Sequence, residues 1–135
     1  MEVSFRVIAK DSTPAQARRA ASDGAIAEDL AARFLERSGL TVLTRNYRCR
    51  GGEVDLICRE RQALVFVEVR LRRNAGYGGA AASVTREKQR RIVLAAKHYL
   101  ASRRGADCEC RFDCMLLDGL SEAAIEWLRD AFAEV

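Results

Sequence analysis

Long apolar runs and paired cysteine motifs are both missing from this chain, and each absence excludes a class of protein. No apolar run among the 135 residues approaches the length of about 18 that crosses a membrane. The N-terminus has no charged start followed by an apolar block, so we expect no signal peptide. The five cysteines are odd in number and form no Cys-x-x-Cys pair, which favours a reducing compartment over secretion. We therefore expect a cytoplasmic protein with no membrane partner.

Several familiar catalytic and cofactor signatures are also missing. His98 is the only histidine and has no nucleophile or base near it in sequence, so we interpret it as a surface or packing residue. The run Gly76–Gly79 fits neither a P-loop nor a dinucleotide fingerprint and indicates a surface loop. The spacing of Cys108, Cys110 and Cys114 is not a standard zinc pattern. These absences disfavour a hydrolase triad, a nucleotide fold and a zinc module.

The apolar pattern predicts one domain over residues 22–135, preceded by an extension over residues 1–21. A first helix is predicted over residues 24–38, capped by Ser22 or Asp23. Its apolar residues recur at the spacing of a helix face that packs on a core. They are Ala27, Leu30, Ala31, Phe34 and Leu35.

Further elements follow the first helix in chain order. Residues 40–48 indicate a strand, and Thr85 is suited to cap a second helix that runs to about residue 102. Residues 108–116 alternate as in a strand with one apolar face. Residues 122–135 fit either a final strand followed by a helical turn or a single helix. Together with the hairpin described next, the order is helix, three strands, helix, strand and a terminal strand or helix.

Residues 52–57 and 65–70 predict two strands joined by a polar turn, and both carry acids where apolar residues dominate. If the numbers of paired residues sum to 123, Asp55 lies opposite Glu68. Opposite side chains lie about 4.5–5.5 Å apart, so the two carboxylates repel unless a cation lies between them. Mg²⁺ is commonly held by one or two carboxylates, water and substrate phosphate. The hairpin therefore predicts a divalent metal site.

Both faces of this hairpin are largely apolar, which predicts central strands covered on both sides. Strict alternation places Val54, Leu56 and Cys58 on one face and Asp55 with Ile57 on the other. A buried carboxylate is costly unless it is paired or bound to metal. Burial thus strengthens the prediction of a metal.

Charge is unevenly distributed along the second half of the chain. Residues 85–104 contain seven bases and one acid, whereas residues 105–135 contain eight acids and two bases. A basic face beside a polyanion is the electrostatic footprint of nucleic-acid binding. The same charges also fit an ordinary solvated helix face, and charge alone does not choose between the two.

These elements and motifs resemble the PD-(D/E)XK nuclease superfamily and, more narrowly, the YraN-type bacterial family of endonuclease-like proteins. The resemblance spans about residues 23–135. It implies an α/β, restriction-endonuclease-like fold of three layers, with a mixed central sheet of about five strands flanked by helices. The matching stretches are residues 24–28, 45–48, 52–57 and 65–70, Val84-Thr85 with Lys88, and residues 111–113.

The resemblance implies metal-dependent cleavage of phosphodiester bonds in nucleic acid, most simply DNA. By position, Asp55 and Glu68 would hold Mg²⁺ or Mn²⁺ with the Val69 carbonyl, and Glu28 would bind the metal directly or through water. The sequence position of Glu28 alone favours a different role, that of a first-turn acid that complements the helix dipole. Nucleases of this fold often pair, so a homodimer remains open. The implied nucleic-acid-binding residues are Arg48, Arg72, Arg73, Lys88 and Arg91.

The chain departs from the superfamily pattern at Arg70, where the pattern has lysine. Arginine keeps the charge and binds phosphate bidentately, but it does not readily give up a proton. Three hypotheses follow. The first is a nuclease with Arg70 as the phosphate-binding or water-orienting cation, and the second is a nucleic-acid-binding module with weak or no catalysis. The third is a protein-interaction module in which Asp55 and Glu68 simply pair with Arg70 and Arg48.

Overall fold

Two helices cover opposite faces of a five-stranded sheet in the computed structural model, which describes residues 14–72, 84–103 and 108–133. The three layers and the mixed sheet confirm the predicted restriction-endonuclease-like fold. The elements are α1 (Pro14–Arg37), β1 (Thr41–Cys49), β2 (Gly52–Glu60), β3 (Ala63–Leu71), α2 (Arg86–Ala101), β4 (Cys110–Leu117), a 3₁₀ turn (Glu122–Ala124) and β5 (Ile125–Phe132).

The strands lie in chain order across the sheet, from β1 to β5. Neighbours are antiparallel except β3 and β4, which are parallel because α2 returns the chain between them. The predicted hairpin register is confirmed from the pair Glu60 and Ala63 to the pair Leu56 and Val67. The hairpin turn has only two residues, and the first of them, Arg61, has a φ of 57°. Positive φ is usual in two-residue hairpin turns, because turn types with positive φ have a backbone twist that matches the twist of the flanking strands.

The first helix starts earlier than predicted, at Pro14. Ser22 and Asp23 therefore lie inside the helix, and their predicted role as caps is wrong. Residues 15–21 are rich in alanine, arginine and glutamine, which favour helix, and proline is well suited to a first helical position. Residues 1–13 of the predicted extension lie outside the described residues.

Each helix buries one face against the sheet. The predicted stripe on α1 is confirmed, since Ala27, Ala31 and Leu35 are buried in one core with the sheet. On the opposite side, Ile92 and Tyr99 of α2 belong to the second core. Neither of the helices within the described ranges is long and apolar enough to cross a membrane.

The last two strands differ in part from their prediction. β4 is buried on both faces, because it lies between β3 and β5: Cys114 and Leu116 pack in the core under α2, and Met115 and Leu117 pack in the core under α1. The single apolar face predicted for residues 108–116 is therefore wrong. The terminal element is a strand, so the alternative of a single helix is wrong. The other alternative is correct in its strand and wrong in its order, because the helical turn precedes the strand instead of following it.

Candidate functional site

Two acidic side chains lie where β2 and β3 stop pairing. The backbone pairs extend as far as Leu56 and Val67. At the next position Asp55 Oδ2 accepts the backbone N–H of Val69 at 2.8 Å, so a side chain takes over from the strand ladder. Glu68 is only 2% exposed, and its Oε1 is buried without a hydrogen-bond partner. The sheet thus opens around a carboxylate pair in which one oxygen, Glu68 Oε1, lacks a hydrogen-bond partner.

The Glu68 carboxyl is strongly perturbed by its surroundings. Burial, followed by the charge of Asp55, raises the pKa of Glu68 to about 8. Two cations oppose this rise from the Oε2 side, since Lys88 Nζ lies 3.7 Å and Arg70 Nη1 lies 3.8 Å from that oxygen. Both cations are nearest to Oε2, and Oε1 is the oxygen without a partner.

A third acid reaches the same region from α1. Glu28 Oε1 accepts a hydrogen bond from Asn46 Nδ2 of β1 at 3.1 Å. Burial and, next, the charge of Asp55 raise the pKa of Glu28 to about 7. Acids from α1, β2 and β3 are therefore within electrostatic reach of one another, as the resemblance implied.

The donor set fits a hydrated divalent metal rather than an all-protein cage. Over residues 14–72, 84–103 and 108–133, no three histidine, cysteine, aspartate or glutamate side chains form a ready metal cluster. Mg²⁺ does not require such a cluster, because it keeps several waters and uses one or two carboxylates plus substrate phosphate. Asp55 and Glu68 supply that pair, and the charge of Asp55 also acts on Glu28.

A buried acid elsewhere in the sheet shows why Glu68 is unusual. Asp113 is 0% exposed, but its carboxylate accepts hydrogen bonds from Arg111, from the indole N–H of Trp127 and from the backbone N–H of Asp130. Asp113 is thus fully satisfied by the fold, as buried polar groups normally are. Glu68 has no comparable set of donors.

Three predicted nucleic-acid-binding residues converge on Glu53, at the start of β2. Lys88 Nζ lies 2.7 Å, Arg91 Nη2 3.5 Å and Arg48 Nη1 3.9 Å from its carboxylate oxygens. The hydrogen bond from Lys88 is the main reason why the pKa of Glu53 is lowered. Lys88 therefore bridges Glu53 and the buried carboxylate Glu68 instead of projecting freely. Arg48 pairs here, and not with Asp55 or Glu68 as the third hypothesis supposed.

Close packing of a glycine lets α2 approach this end of the sheet. A Cβ on Gly52 would lie 2.8 Å from the backbone N of Ala95 and 2.9 Å from the carbonyl O of Arg91. Real Cβ atoms essentially never come so close, so only glycine fits. The contact seats α2, and with it Lys88, against the β1–β2 turn.

The remaining predicted cations lie elsewhere. Arg72 binds Asp118 with two hydrogen bonds, of 2.8 and 3.2 Å, and lies 3.5 Å from Glu126. Arg73 lies outside the described residues. His98 is exposed, as predicted, and its Nδ1 lies 2.7 Å from the Tyr47 hydroxyl.

Two residues of the site were not identified from the sequence. Asn46 could have been suspected, because asparagine is uncommon in strands and tolerates a left-handed backbone. Glu53 gave no such signal, because its partner Lys88 lies 35 residues away along the chain.

Comparison with known proteins gives one family. A model of the uncharacterised protein family UPF0102 matches residues 27–117. A UPF0102 protein of Dechloromonas aromatica is 54% identical over 129 residues, which is 96% of this chain and 98% of the relative. One from Nitrosomonas europaea is 53% identical over 115 residues, 85% of this chain and 97% of the relative. One from Ralstonia nicotianae is 53% identical over 117 residues, 84% of this chain and 88% of the relative.

Proposed function

The chain belongs to the uncharacterised protein family UPF0102, and on that premise we propose that it is a Mg²⁺- or Mn²⁺-dependent nuclease that hydrolyses phosphodiester bonds, most simply in DNA. The observation that carries the proposal is the buried Glu68 carboxylate, which has a partnerless oxygen next to Asp55. A buried carboxylate oxygen without a hydrogen-bond partner destabilises the folded protein. A divalent cation bound by the two carboxylates would offset that free-energy cost.

The chemistry assigned to each residue follows from its surroundings. Asp55 and Glu68 would hold the metal, with Glu28 as the third carboxylate. When bound, the metal would polarise a phosphoryl oxygen and lower the pKa of a coordinated water. Hydrolysis adds the water oxygen to phosphorus and breaks one P–O ester bond, so the departing alkoxide needs a proton.

Lys88 supplies a cation that the superfamily pattern places at position 70. Its ammonium lies about as close to Glu68 Oε2 as the Arg70 guanidinium does, at 3.7 against 3.8 Å. An ammonium can hand a proton to a departing alkoxide, whereas a guanidinium cannot. We assign proton transfer to Lys88 and phosphate binding to Arg70, whose side chain is 44% exposed.

The basic residues around Glu53 would bind the backbone of the substrate. Arg91 and Arg48 are 44% and 71% exposed while they approach Glu53, so phosphates can reach them from solvent. Each phosphate contact of this kind releases counterions, and binding should therefore weaken as salt is raised. Nucleic acid is thus the partner that this face fits, whether the protein acts as a monomer or as a homodimer.

The direct test is cleavage of supercoiled plasmid, branched DNA and single-stranded DNA in Mg²⁺ or Mn²⁺. Asp55→Asn keeps an oxygen that can accept the Val69 N–H but removes the charge, so it should fold and lose cleavage. Glu87→Gln is the matched control, because that exposed acid pairs only with its helix neighbour Arg90 in the described structure. Cleavage that survives Asp55→Asn, or no cleavage of any of the three substrates by the wild type, would contradict the nuclease proposal.

A second candidate function is a nucleic-acid-binding module that turns over slowly or not at all. Arg70 favours it, because arginine stands where the nuclease pattern has lysine. This function predicts salt-sensitive binding of DNA that is unchanged in Asp55→Asn, with no cleavage by either protein. Electrophoretic mobility shifts at two salt concentrations distinguish it from the first candidate.

A further inference from the structure

Asn46 has an unusual backbone for a residue in the middle of a strand. Its φ is 51°, in the left-handed region. Only two other non-glycine residues of the described chain have positive φ, Arg61 in the hairpin turn and Asp130 in β5. Asparagine tolerates this region better than most residues, because its short side chain hydrogen-bonds locally. This left-handed position within β1 is therefore occupied by a residue suited to it.

The left-handed residue Asn46 lies opposite a predicted metal ligand. In the pairing of β1 with β2, Asn46 falls between two regular pairs, and its position corresponds to that of Asp55. The regular pairs on either side are Arg45 with Leu56 and Tyr47 with Val54.

The two strands change face across this step. Residues two apart in a regular strand lie on the same face, and the sequence accordingly predicted Val54 and Leu56 together. That prediction is wrong: Leu56 packs in the core under α1, whereas Val54 packs with Ile57 in the core under α2. The left-handed residue of the neighbouring strand, Asn46, lies at the same position of the ladder. Asp55, between Val54 and Leu56, is the residue of β2 at which the face changes.

The Asn46 side chain connects the step to the first helix. Its Nδ2 donates to Glu28 Oε1 at 3.1 Å. One residue thus contacts the acid from α1 and sets the strand geometry opposite the acid of β2.

We propose that Asn46 is a positioning residue, whose left-handed backbone and side-chain amide together orient Glu28 and Asp55 as two of the three carboxylates of the proposed metal site. This inference rests on the proposed metal-dependent function. Groups that hold a metal ligand in place typically change metal affinity by about 10–100-fold when they are removed. Asn46 should therefore influence metal binding without touching the metal.

The variant Asn46→Gly separates the two parts of this role, because glycine keeps positive φ and loses the amide. By calorimetry with Mn²⁺ alone, we expect about tenfold weaker binding than in wild type. Arg61→Gly is the matched control, a positive-φ residue replaced by glycine in the hairpin turn, and it should bind Mn²⁺ as wild type does. Asn46→Ala loses both parts and should also unfold at a lower urea concentration than Asn46→Gly.

A double-mutant cycle shows whether Asn46 acts through Glu28. In a Glu28→Gln background, Asn46→Gly should change Mn²⁺ affinity by less than about twofold, because the partner carboxylate is already gone. An equal loss in both backgrounds, or no loss in either, overturns the role of Asn46 while the metal site stands. If wild type binds no Mn²⁺, the metal site itself is refuted and this role falls with it.

Discussion

Glu68 should make the metal-free protein less stable as the pH rises. Its pKa is 4.5 as a free group and about 8 in the folded chain. Because the folded pKa is raised, folding favours the protonated form. The stabilising contribution is fully present below about pH 4.5 and is lost as the pH rises through about 8.

The size of this effect follows from the shift. Each pKa unit corresponds to about 1.4 kcal/mol, so Glu68 can contribute at most about 5 kcal/mol between these limits. Relaxation of the site and entry of water would reduce that figure, and we expect a loss of about 2 kcal/mol between pH 5 and pH 9. Glu28, with a pKa of about 7, acts in the same window and the same direction. The pKa values of Glu53 and Glu60 are lowered, so their contributions are lost only in acid, outside this window.

Urea unfolding of chelator-treated protein, followed by the fluorescence of the single tryptophan Trp127, measures the effect. Glu68→Gln removes this titrating group and keeps the shape, so its stability should vary less from pH 5 to pH 9 than that of wild type, with the contribution of Glu28 remaining. Mg²⁺ at about 100 times its dissociation constant should restore about 2.7 kcal/mol to wild type at pH 8 and much less to Glu68→Gln. Equal losses of stability in wild type and variant over this range would refute the assignment of the perturbed acid to Glu68.

Three substitutions test the packing around the site, each by urea unfolding. Gly52→Ala should destabilise by about 1–3 kcal/mol, because its Cβ would meet the backbone N of Ala95 at 2.8 Å. Gly24→Ala should instead stabilise by up to about 1 kcal/mol, because it lies within a helix with nothing within 4 Å of the new Cβ. Asp113→Ala should cost about 3 kcal/mol or more, because the Trp127 indole N–H and two further donors lose their buried acceptor. A stabilising Gly52→Ala, a destabilising Gly24→Ala or a neutral Asp113→Ala would contradict the packing described.

Local patterns were sufficient to predict the hairpin. The polar turn gave the register in which Leu56 pairs with Val67, because the length of a hairpin turn fixes which residues of the two strands lie opposite each other. The first helix was predicted at the correct place in the chain, but its predicted start was too late. Asp23 resembles a cap, and the helix-forming residues before it carry no apolar stripe. The lesson is that a cap residue permits a helix start without requiring one.

Strict alternation failed where the backbone departs from the strand. The residues around Val54 do not show that it faces away from Leu56, and the left-handed residue at this position of the ladder, Asn46, lies in the neighbouring strand. Period-2 analysis assumes a regular backbone on both sides of a ladder. It therefore failed at the step in the ladder that adjoins the candidate metal site.

The tertiary structure changes the interpretation of Arg70, the arginine that stands where the nuclease motif has lysine. In sequence, the residue two after Glu68 is arginine, and a local motif that expects lysine there is unmet. In space, α2 brings Lys88 to 3.7 Å from Glu68, while Glu53 holds the same ammonium at 2.7 Å. A cation can reach an active carboxylate from any element that packs there, and the packing of α2 depends on Gly52 as much as on Lys88 itself. If the proposed reaction occurs, replacing Lys88 should therefore lower its rate more than replacing Arg70, because only the lysine of the two can give up a proton.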